Sequence, residues 1–321
     1  MVDLRTIQIT EIWLQCCLYR VLPCIVFRWR TGLRTIFFPK MANCAIDPTN
    51  IPFDAQSIPQ PRSVAPGQSA VYRAYNAPAD LLSDDGTGVR TLWENFKQGL
   101  AKNANGNMLG HRPLNRQRGT HEMYYKWQTY RQVADRVVDV ASGMVYLLRK
   151  NCPDAPPVYG KQLPIGFYSV NRPEWVIADI ACSRQSLVNV SLYDTLGPNA
   201  VEYVMNHSEI SLVFASADKI ATLLSISDKL HQLKIIVSMD ALTDPLPTPP
   251  AFSGQTTTSN VLHTWAKQKN ILLLDIYELE RIGLEHPQAP EPPAPTDLAT
   301  VNYTSGNCND SRWGKYWVLS R

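Results

Sequence analysis

From Thr129 to Ile276, short runs rich in Val, Ile and Leu alternate with stretches that carry apolar residues every third or fourth position. This alternation restricts the fold more than any other feature of the chain. Leu163 to Val170, Leu187 to Tyr193, Ile210 to Ser216, Lys234 to Asp240 and Ile271 to Ile276 read as strands. They are near-continuous apolar runs, as expected of strands covered on both faces. Helices are expected from Thr129 to Lys150, from Pro173 through Ile180, from Asn199 to His207, from Ala217 to Ser227, and onward from Val261. Thr129 suits an N-cap, with Val133, Val137, Ala141, Met144 and Leu148 as the apolar stripe behind it. Pro173 suits the first turn of its helix. Strands alternating with helices in this way predict an α/β fold, a mostly parallel sheet with helices on both faces.

Composition bounds the function. The 321 residues suffice for one large α/β domain or two smaller ones. A hydrophobic content of 45% with 18% charged residues describes a globular chain. A net charge of +3, with no Lys/Arg block interleaved with aromatics, argues against nucleic acid as a partner. Seven cysteines, an odd number without a Cys-x-x-Cys pair, disfavour a disulfide framework and a zinc site, and point to an intracellular, reducing compartment. No His/Asp/Glu cluster has metal-ligand spacing, and no Gly-x-Ser-x-Gly elbow marks a serine hydrolase. A dehydrogenase would need a glycine fingerprint; Asp85-Gly-Thr-Gly88 lacks the third glycine and follows no strand, so it reads as a turn.

Residues 1–40 differ from the rest. They are apolar and basic, with Arg20, Arg28, Arg30, Arg34 and Lys40 and only Asp3 and Glu11 as acids. Arg20 interrupts the apolar run short of the ~20 residues a membrane-spanning helix needs. Three readings stay open: a surface membrane anchor, an organelle presequence, or residues preceding a true start at Met41. Residues 41–122 form a Pro-rich leader with a short helix capped by Thr91, its face made of Leu92, Phe96 and Leu100. Met123 to Trp127 reads as a short aromatic strand. A Pro/Thr/Ser-rich loop spans Leu242 to Ser259, and Pro287 to Pro295 is a proline-rich connector.

That connector leads into Leu298 to Tyr303, an apolar β-prone run that ends in Thr304, Ser305 and Gly306. A strand ending in two hydroxyl residues and a glycine suits a phosphate-binding loop: hydroxyls and backbone N–H groups face anionic oxygens, and glycine permits close approach. Such a triplet alone is more often an ordinary turn. Tyr303 reads as the end of a core strand. His207 reads as a satisfied histidine and not a base, Asp194 and Thr195 as turn residues, and Glu174 and Trp175 as anchors of a helix start.

Val170-Asn-Arg-Pro-Glu-Trp175, Tyr193-Asp-Thr-Leu-Gly-Pro198, Glu202-Tyr-Val-Met-Asn-His-Ser-Glu209 and Asn302-Tyr-Thr-Ser-Gly306 follow one another as in fungal long-chain fatty acyl-CoA synthetases. The chain therefore resembles the N-terminal portion of that family, within the adenylate-forming (AMP-binding) superfamily. The resemblance runs from Tyr124 to Gly306, and more loosely back to Gly110-His-Arg-Pro113. It implies part of the large N-terminal domain of an adenylate-forming enzyme over 123–306. It also implies a two-step ligase reaction: a long-chain fatty acid attacks ATP-Mg2+ to give acyl-AMP and diphosphate, and CoA then displaces AMP. Peripheral association with peroxisomal or endoplasmic reticulum membranes is implied as well. Tyr303, Thr304, Ser305 and Gly306 are the candidate residues of a partial ATP phosphate loop.

The family's loop continues Thr-Ser-Gly-Thr-Thr-Gly-x-Pro-Lys-Gly, whereas this chain turns to Asn307-Cys-Asn-Asp-Ser-Arg-Trp-Gly-Lys315. The second glycine and the Pro-Lys-Gly are gone, and Gly314-Lys315 falls too late to replace them by position. Residues 307–321 are expected to be an aberrant tail on a chain of about half the family's length, without its later adenine, magnesium and ribose motifs or its C-terminal lysine domain. A chain so cut is expected to leave a sheet edge open, and to be a ligase without turnover. The alternative is a non-catalytic form that binds acyl chains, a membrane or a protein partner.

Overall fold

The computed structural model describes residues 24–29, 32–37, 54, 56–75, 88–115, 118–155, 162–193, 199–242, 259–304 and 314–319; residues 24–29, 32–37, 304 and 314–319 are described as backbone only. The chain divides into two units, Met1–Val89 and Arg90–Arg321. The first holds two antiparallel hairpins, β1 (Cys24–Trp29) with β2 (Gly32–Phe37), and β3 (Ser57–Pro59) with β4 (Tyr72–Ala74). The β1–β2 hairpin lies inside the basic, apolar stretch 1–40 and was not anticipated from the sequence.

The second unit opens with α1 (Leu92–Asn103), where the Thr91 hydroxyl accepts from Glu94 N–H as an N-cap. Phe96 is buried, but Leu92, expected on the same face, is exposed. A two-stranded arm follows: β5 (Asn107–His111), β6 (Leu114–Asn115), β7 (Thr120–His121) and β8 (Lys126–Thr129), with β5 paired to β8 and β6 to β7. This corrects the strand expected over Met123 to Trp127. Pairing begins only at Lys126, because Arg112 Nε–H donates to the Glu122 carbonyl at 2.6 Å and holds the preceding residues out of the ladder.

Next comes α2 (Tyr130–Asn151), closed by a capping box. Gln132 N–H donates to Thr129 Oγ1 at 3.3 Å, and Thr129 N–H donates to Gln132 Oε1 at 2.9 Å. All five stripe residues from Val133 to Leu148 are buried. The chain then alternates: β9 (Pro164–Tyr168), α3 (Pro173–Arg184), β10 (Val188–Ser191), α4 (Ala200–His207), β11 (Leu212–Ala215), α5 (Ala217–Ile226), β12 (Ile235–Ser238), α6 (Ser259–Gln268) and β13 (Leu272–Asp275). A helix missed in the sequence, α7 (Ile276–Glu285), leads on to β14 (Leu298–Thr304) and β15 (Gly314–Leu319). Its start is written in the residues. Asp275 accepts from Tyr277 and Glu278 N–H groups, and Glu278 accepts from Asp275 N–H. The Asp-x-x-Glu signal was hidden inside the apolar run Ile271 to Ile276.

Among the described residues one sheet has the order β13-β12-β11-β9-β10-β14-β15. Every pair is parallel except β14–β15. β9, β10, β11 and β12 are buried at every position, as their unbroken apolar character requires. One core lies under α1, α2, α3 and α7, the other under α4, α5 and α6. Moves toward β14 carry their helix on the first face, and moves toward β13 on the second, as a single crossover hand demands. β15 covers the outer side of β14, and the sheet ends at β13 on one side and β15 on the other among the described residues.

Two glycines let α2 and α7 approach closely. A methyl group at residue 283 would run into the Asp139 carbonyl, and one at 143 into the Leu279 carbonyl. Gly283→Ala should therefore lower stability by about 1–3 kcal/mol, read as a lower urea midpoint with an unchanged slope. α3 also carries an acid against the sheet: Asn189 Nδ2–H donates to Asp179 Oδ1 at 2.7 Å. Burial pushes the Asp179 carboxyl above the usual 3.8, while the Asn189 bond pulls it the other way. The folded state thus holds this proton to higher pH than the unfolded chain. Stability falls as pH rises from 3.8 through the raised value, and stays lower above it. Asp179→Asn, which can still accept from Asn189, should flatten that slope in unfolding curves taken across the window and be the more stable form at neutral pH.

Candidate functional site

The C-terminal ends of β9, β10, β11, β12 and β14 lie at one edge of the sheet, the edge where ligands bind in open parallel sheets. The seating of β14 there depends on the proline-rich connector, whose backbone has no strand to pair with. Side chains and backbone at the end of α3 take that role. Arg184 donates to the Gln288 carbonyl, and Gln185 Nε2–H to the Ala289 carbonyl, each at 3.1 Å. Ser186 Oγ–H donates to the Glu291 carbonyl at 2.7 Å, and Gln185 Oε1 accepts from Glu291 N–H. Buried Gln162 completes the strap. Its amide donates to the Leu298 carbonyl and accepts from Leu298 N–H, both at 2.9 Å, as a neighbouring strand would. β14 then pairs with β10 through Asn189 opposite Thr300 and Val190 opposite Val301.

Two residues on, Tyr303 is buried in the α4–α6 core. Its hydroxyl lies 2.7 Å from Ser208 Oγ and 2.9 Å from His207 Nδ1, where α4 ends. Tyr203 meets the Tyr303 ring edge-on with centroids 6.3 Å apart. The ring is thus a strand-end anchor that ties β14 to α4. Thr304 is the last residue of β14; Ser305 and Gly306 lie outside the described residues, as do Asp194 and Thr195. The antiparallel register brings the backbone of Gly314 opposite Thr304 and that of Lys315 opposite Tyr303. Position in sequence sets Gly314-Lys315 apart from Thr304; backbone pairing brings the two to the same level. His207 also lines a surface cavity of about 450 Å³ with Asn199, Glu202, Tyr203 and Asn206, all on one side of α4.

On the other side of β10 the chain reverses direction. The connection leaving β9 runs toward β10 and the one leaving β11 runs toward β12, so the switch point lies between β9 and β11. Arg172 spans it, a residue whose role the sequence did not disclose. Arg172 donates to Glu174 at 2.7 Å, to Asp240 at 2.8 Å and to the Met239 carbonyl at 3.0 Å. Asp240 accepts in turn from Ala217 N–H, the first residue of α5. Burial opposes the Arg172 charge, yet Glu174 and Asp240 more than offset it and hold the guanidinium above its usual value. Glu174 and Trp175 are structural as expected, with the indole 5.0 Å from the Phe167 ring. Among the described residues no three His, Cys, Asp or Glu side chains are gathered to hold a metal ion.

The AMP-binding enzyme family matches residues 110–307, the segment that contains this whole sheet edge. The chain belongs to that family. It is 36% identical over 252 residues to "Acyl-CoA ligase 891, peroxisomal" of Penicillium brevicompactum, covering 78% of this chain and 34% of the relative. "Long chain acyl-CoA synthetase 6, peroxisomal" of Arabidopsis thaliana is 33% identical, over 78% of this chain and 32% of its own length. "Long-chain-fatty-acid--CoA ligase 5" of Mus musculus is 33% identical, over 74% and 31%. The matched part of the chain thus spans about a third of the length of these relatives. In fold it is similar to the A-PCP didomain of a carboxylic acid reductase from Segniliparus rugosus in complex with AMP. The TM-score is 0.57 and the identity 14%, over 73% of this chain and 32% of that one. A partial α/β domain of the adenylate-forming type is the fold of this protein.

Because Ser208 is fully buried, removing the Tyr303 hydroxyl leaves it short of a partner. Tyr303→Phe should cost about 1–2 kcal/mol, measured by chemical unfolding, whereas Tyr203→Phe, which keeps its ring contacts, should cost less.

Proposed function

We propose that the chain is the N-terminal part of a long-chain fatty acid–CoA ligase and that Tyr303, Thr304, Ser305 and Gly306 begin its ATP phosphate loop. The observation that carries this is the position of β14: a parallel strand, strapped beside β10, whose C-terminal end at Thr304 lies at the ligand-binding edge of the sheet and inside residues 110–307, which the AMP-binding enzyme family matches. The activation such a ligase performs converts a carboxylate, whose leaving group is oxide, into an acyl-AMP whose leaving group is AMP; CoA thiol then takes the acyl group. Mg2+ accompanies ATP as part of the substrate, and no residue of this chain is assigned to it. In this proposal Tyr303 holds the strand end, while Thr304, Ser305 and Gly306 turn hydroxyl and backbone donors toward phosphate oxygens.

The loop then runs on as Asn307-Cys308, without the second glycine and Pro-Lys-Gly that supply close approach and positive charge to the triphosphate. Binding without turnover is the expected behaviour. Residues 123–306 are proposed as the AMP-binding portion, 41–122 as its leader, 1–40 as an extension and 307–321 as a departure from the family. Two of the relatives are named as peroxisomal, which supports that compartment over the endoplasmic reticulum. No helix among the described residues is long and apolar enough to cross a membrane.

The test is nucleotide binding beside product formation. MgATP at a hundredfold excess over its Kd should stabilise the chain by about 2.7 kcal/mol, with a matching rise in Tm. ATP, palmitate and CoA together should give no acyl-CoA. Absence of any nucleotide-dependent shift would leave acyl-chain, membrane or protein binding as the function. Acyl-CoA formation would overturn the expectation that this loop cannot support turnover.

A further inference from the structure

The arm β5–β8 carries a surface that the nucleotide loop does not explain. The hairpin places Gly110 opposite Trp127, His111 opposite Lys126, Leu114 opposite His121 and Asn115 opposite Thr120. Where its two pairings meet, four large apolar or aromatic side chains face outward: Met123 at 88% exposure, Tyr124 at 61%, Tyr125 at 57% and Trp127 at 48%. Such exposure at four positions out of five makes a patch and not a scattered surface residue. It is also held in place. Arg112 donates to the Glu122 carbonyl at 2.6 Å, to the His121 carbonyl at 3.4 Å and to Met123 Sδ at 3.2 Å. The Tyr125 and Trp127 rings lie 5.7 Å apart, and Trp127 lies against Gly110, where any side chain would collide with its indole.

The charge around the patch is one-sided. Between residues 110 and 131 stand Arg112, Arg116, Arg118, Lys126 and Arg131 against Glu122 alone, a local balance of +4 where the whole chain has +3. The cations are spread over twenty positions and form no block in the sequence; of the described ones, Arg112, Arg118 and Lys126 stand on the arm and Arg131 follows it in the first turn of α2. Glu122 is itself taken up by Asn115 Nδ2–H at 2.7 Å. Arg112, Arg118, Lys126 and Arg131 are exposed.

We infer that this arm docks on an anionic lipid surface, with Met123, Tyr124 and Tyr125 at the headgroup level and the surrounding cations over acidic headgroups. Tyr and Trp combine an apolar body with a polar tip and favour the boundary between headgroup and acyl chain. Basic residues beside them add attraction to phosphatidylserine-type lipids. A single-stranded nucleic acid would instead need rings set along a basic groove; these rings protrude. The inference stands apart from the nucleotide proposal, because no residue of the arm belongs to the phosphate loop.

The full chain should float with phosphatidylcholine vesicles that contain about 30% phosphatidylserine, and much less with phosphatidylcholine alone. Residues 1–40 are also basic and apolar, so the decisive reading is the difference between variants of the same full chain. Arg118→Glu with Lys126→Glu should reduce partitioning by at least about tenfold, and Met123→Ser with Tyr124→Ser should reduce it as well. A charge-matched control, Lys102→Glu with Lys267→Glu, should reduce it far less. Unchanged thermal melting verifies that each variant is folded. Equal partitioning of the arm variants and wild type, or equal loss in the control, overturns the inference. So does retention of single-stranded RNA or concentration-dependent self-association that the arm variants abolish while vesicle binding persists.

Discussion

The placement of β14 governs the candidate site, and it rests on replacing strand hydrogen bonds by side-chain ones. A connector containing Pro287, Pro290, Pro292, Pro293 and Pro295 cannot supply a regular row of N–H donors. Its carbonyls and remaining amides meet Arg184, Gln185, Ser186 and Gln162 instead. Gln162 is the most economical of these contacts, since one buried amide satisfies both the N–H and the C=O of Leu298. Left unpaired, the buried Gln162 amide would oppose folding by an amount comparable to a lost hydrogen bond. The route from α7 back across the sheet to β10 is therefore specified by polar chemistry at the connector, with apolar burial taking over at Val301 and Tyr303.

Both ends of the site share a way of fixing loops. At β14 the Tyr303 hydroxyl is held by His207 and Ser208; at the switch point Arg172 is held by Glu174, Asp240 and the Met239 carbonyl. Each joins a strand end to a helix end on a different segment. A loop that departs from such an anchor begins from a defined direction. The helix pair α2 and α7 supports the opposite face through a glycine contact that admits no side chain. The core on that side is thus set by close backbone approach as much as by apolar area.

Much of this was legible beforehand, for local reasons. The Thr129 capping box, the Pro173 helix start and the four central strands follow from residue types a few positions apart, and each was found within a few residues of its place. What escaped notice had its signal masked or its partner far away. The α7 cap sat inside an apolar run, and the displaced aromatic strand depended on where Arg112 reaches. Arg172 meets Asp240 across 68 positions, and Tyr303 meets Ser208 across 95. Spacing rules for helices and strands carry no information at those distances.

By itself the sequence determined the class of the fold: unbroken apolar strands must be covered on both faces, and most of the segments between them carry the single apolar side of a helix. It also determined the family, through motifs in a constant order. Only the tertiary structure decided which strands are neighbours. Parallel pairing is indifferent to sequence order, so the seat of β14 beside β10, and that of the Gly314 and Lys315 backbone opposite Thr304 and Tyr303, depend on the connector and both cores.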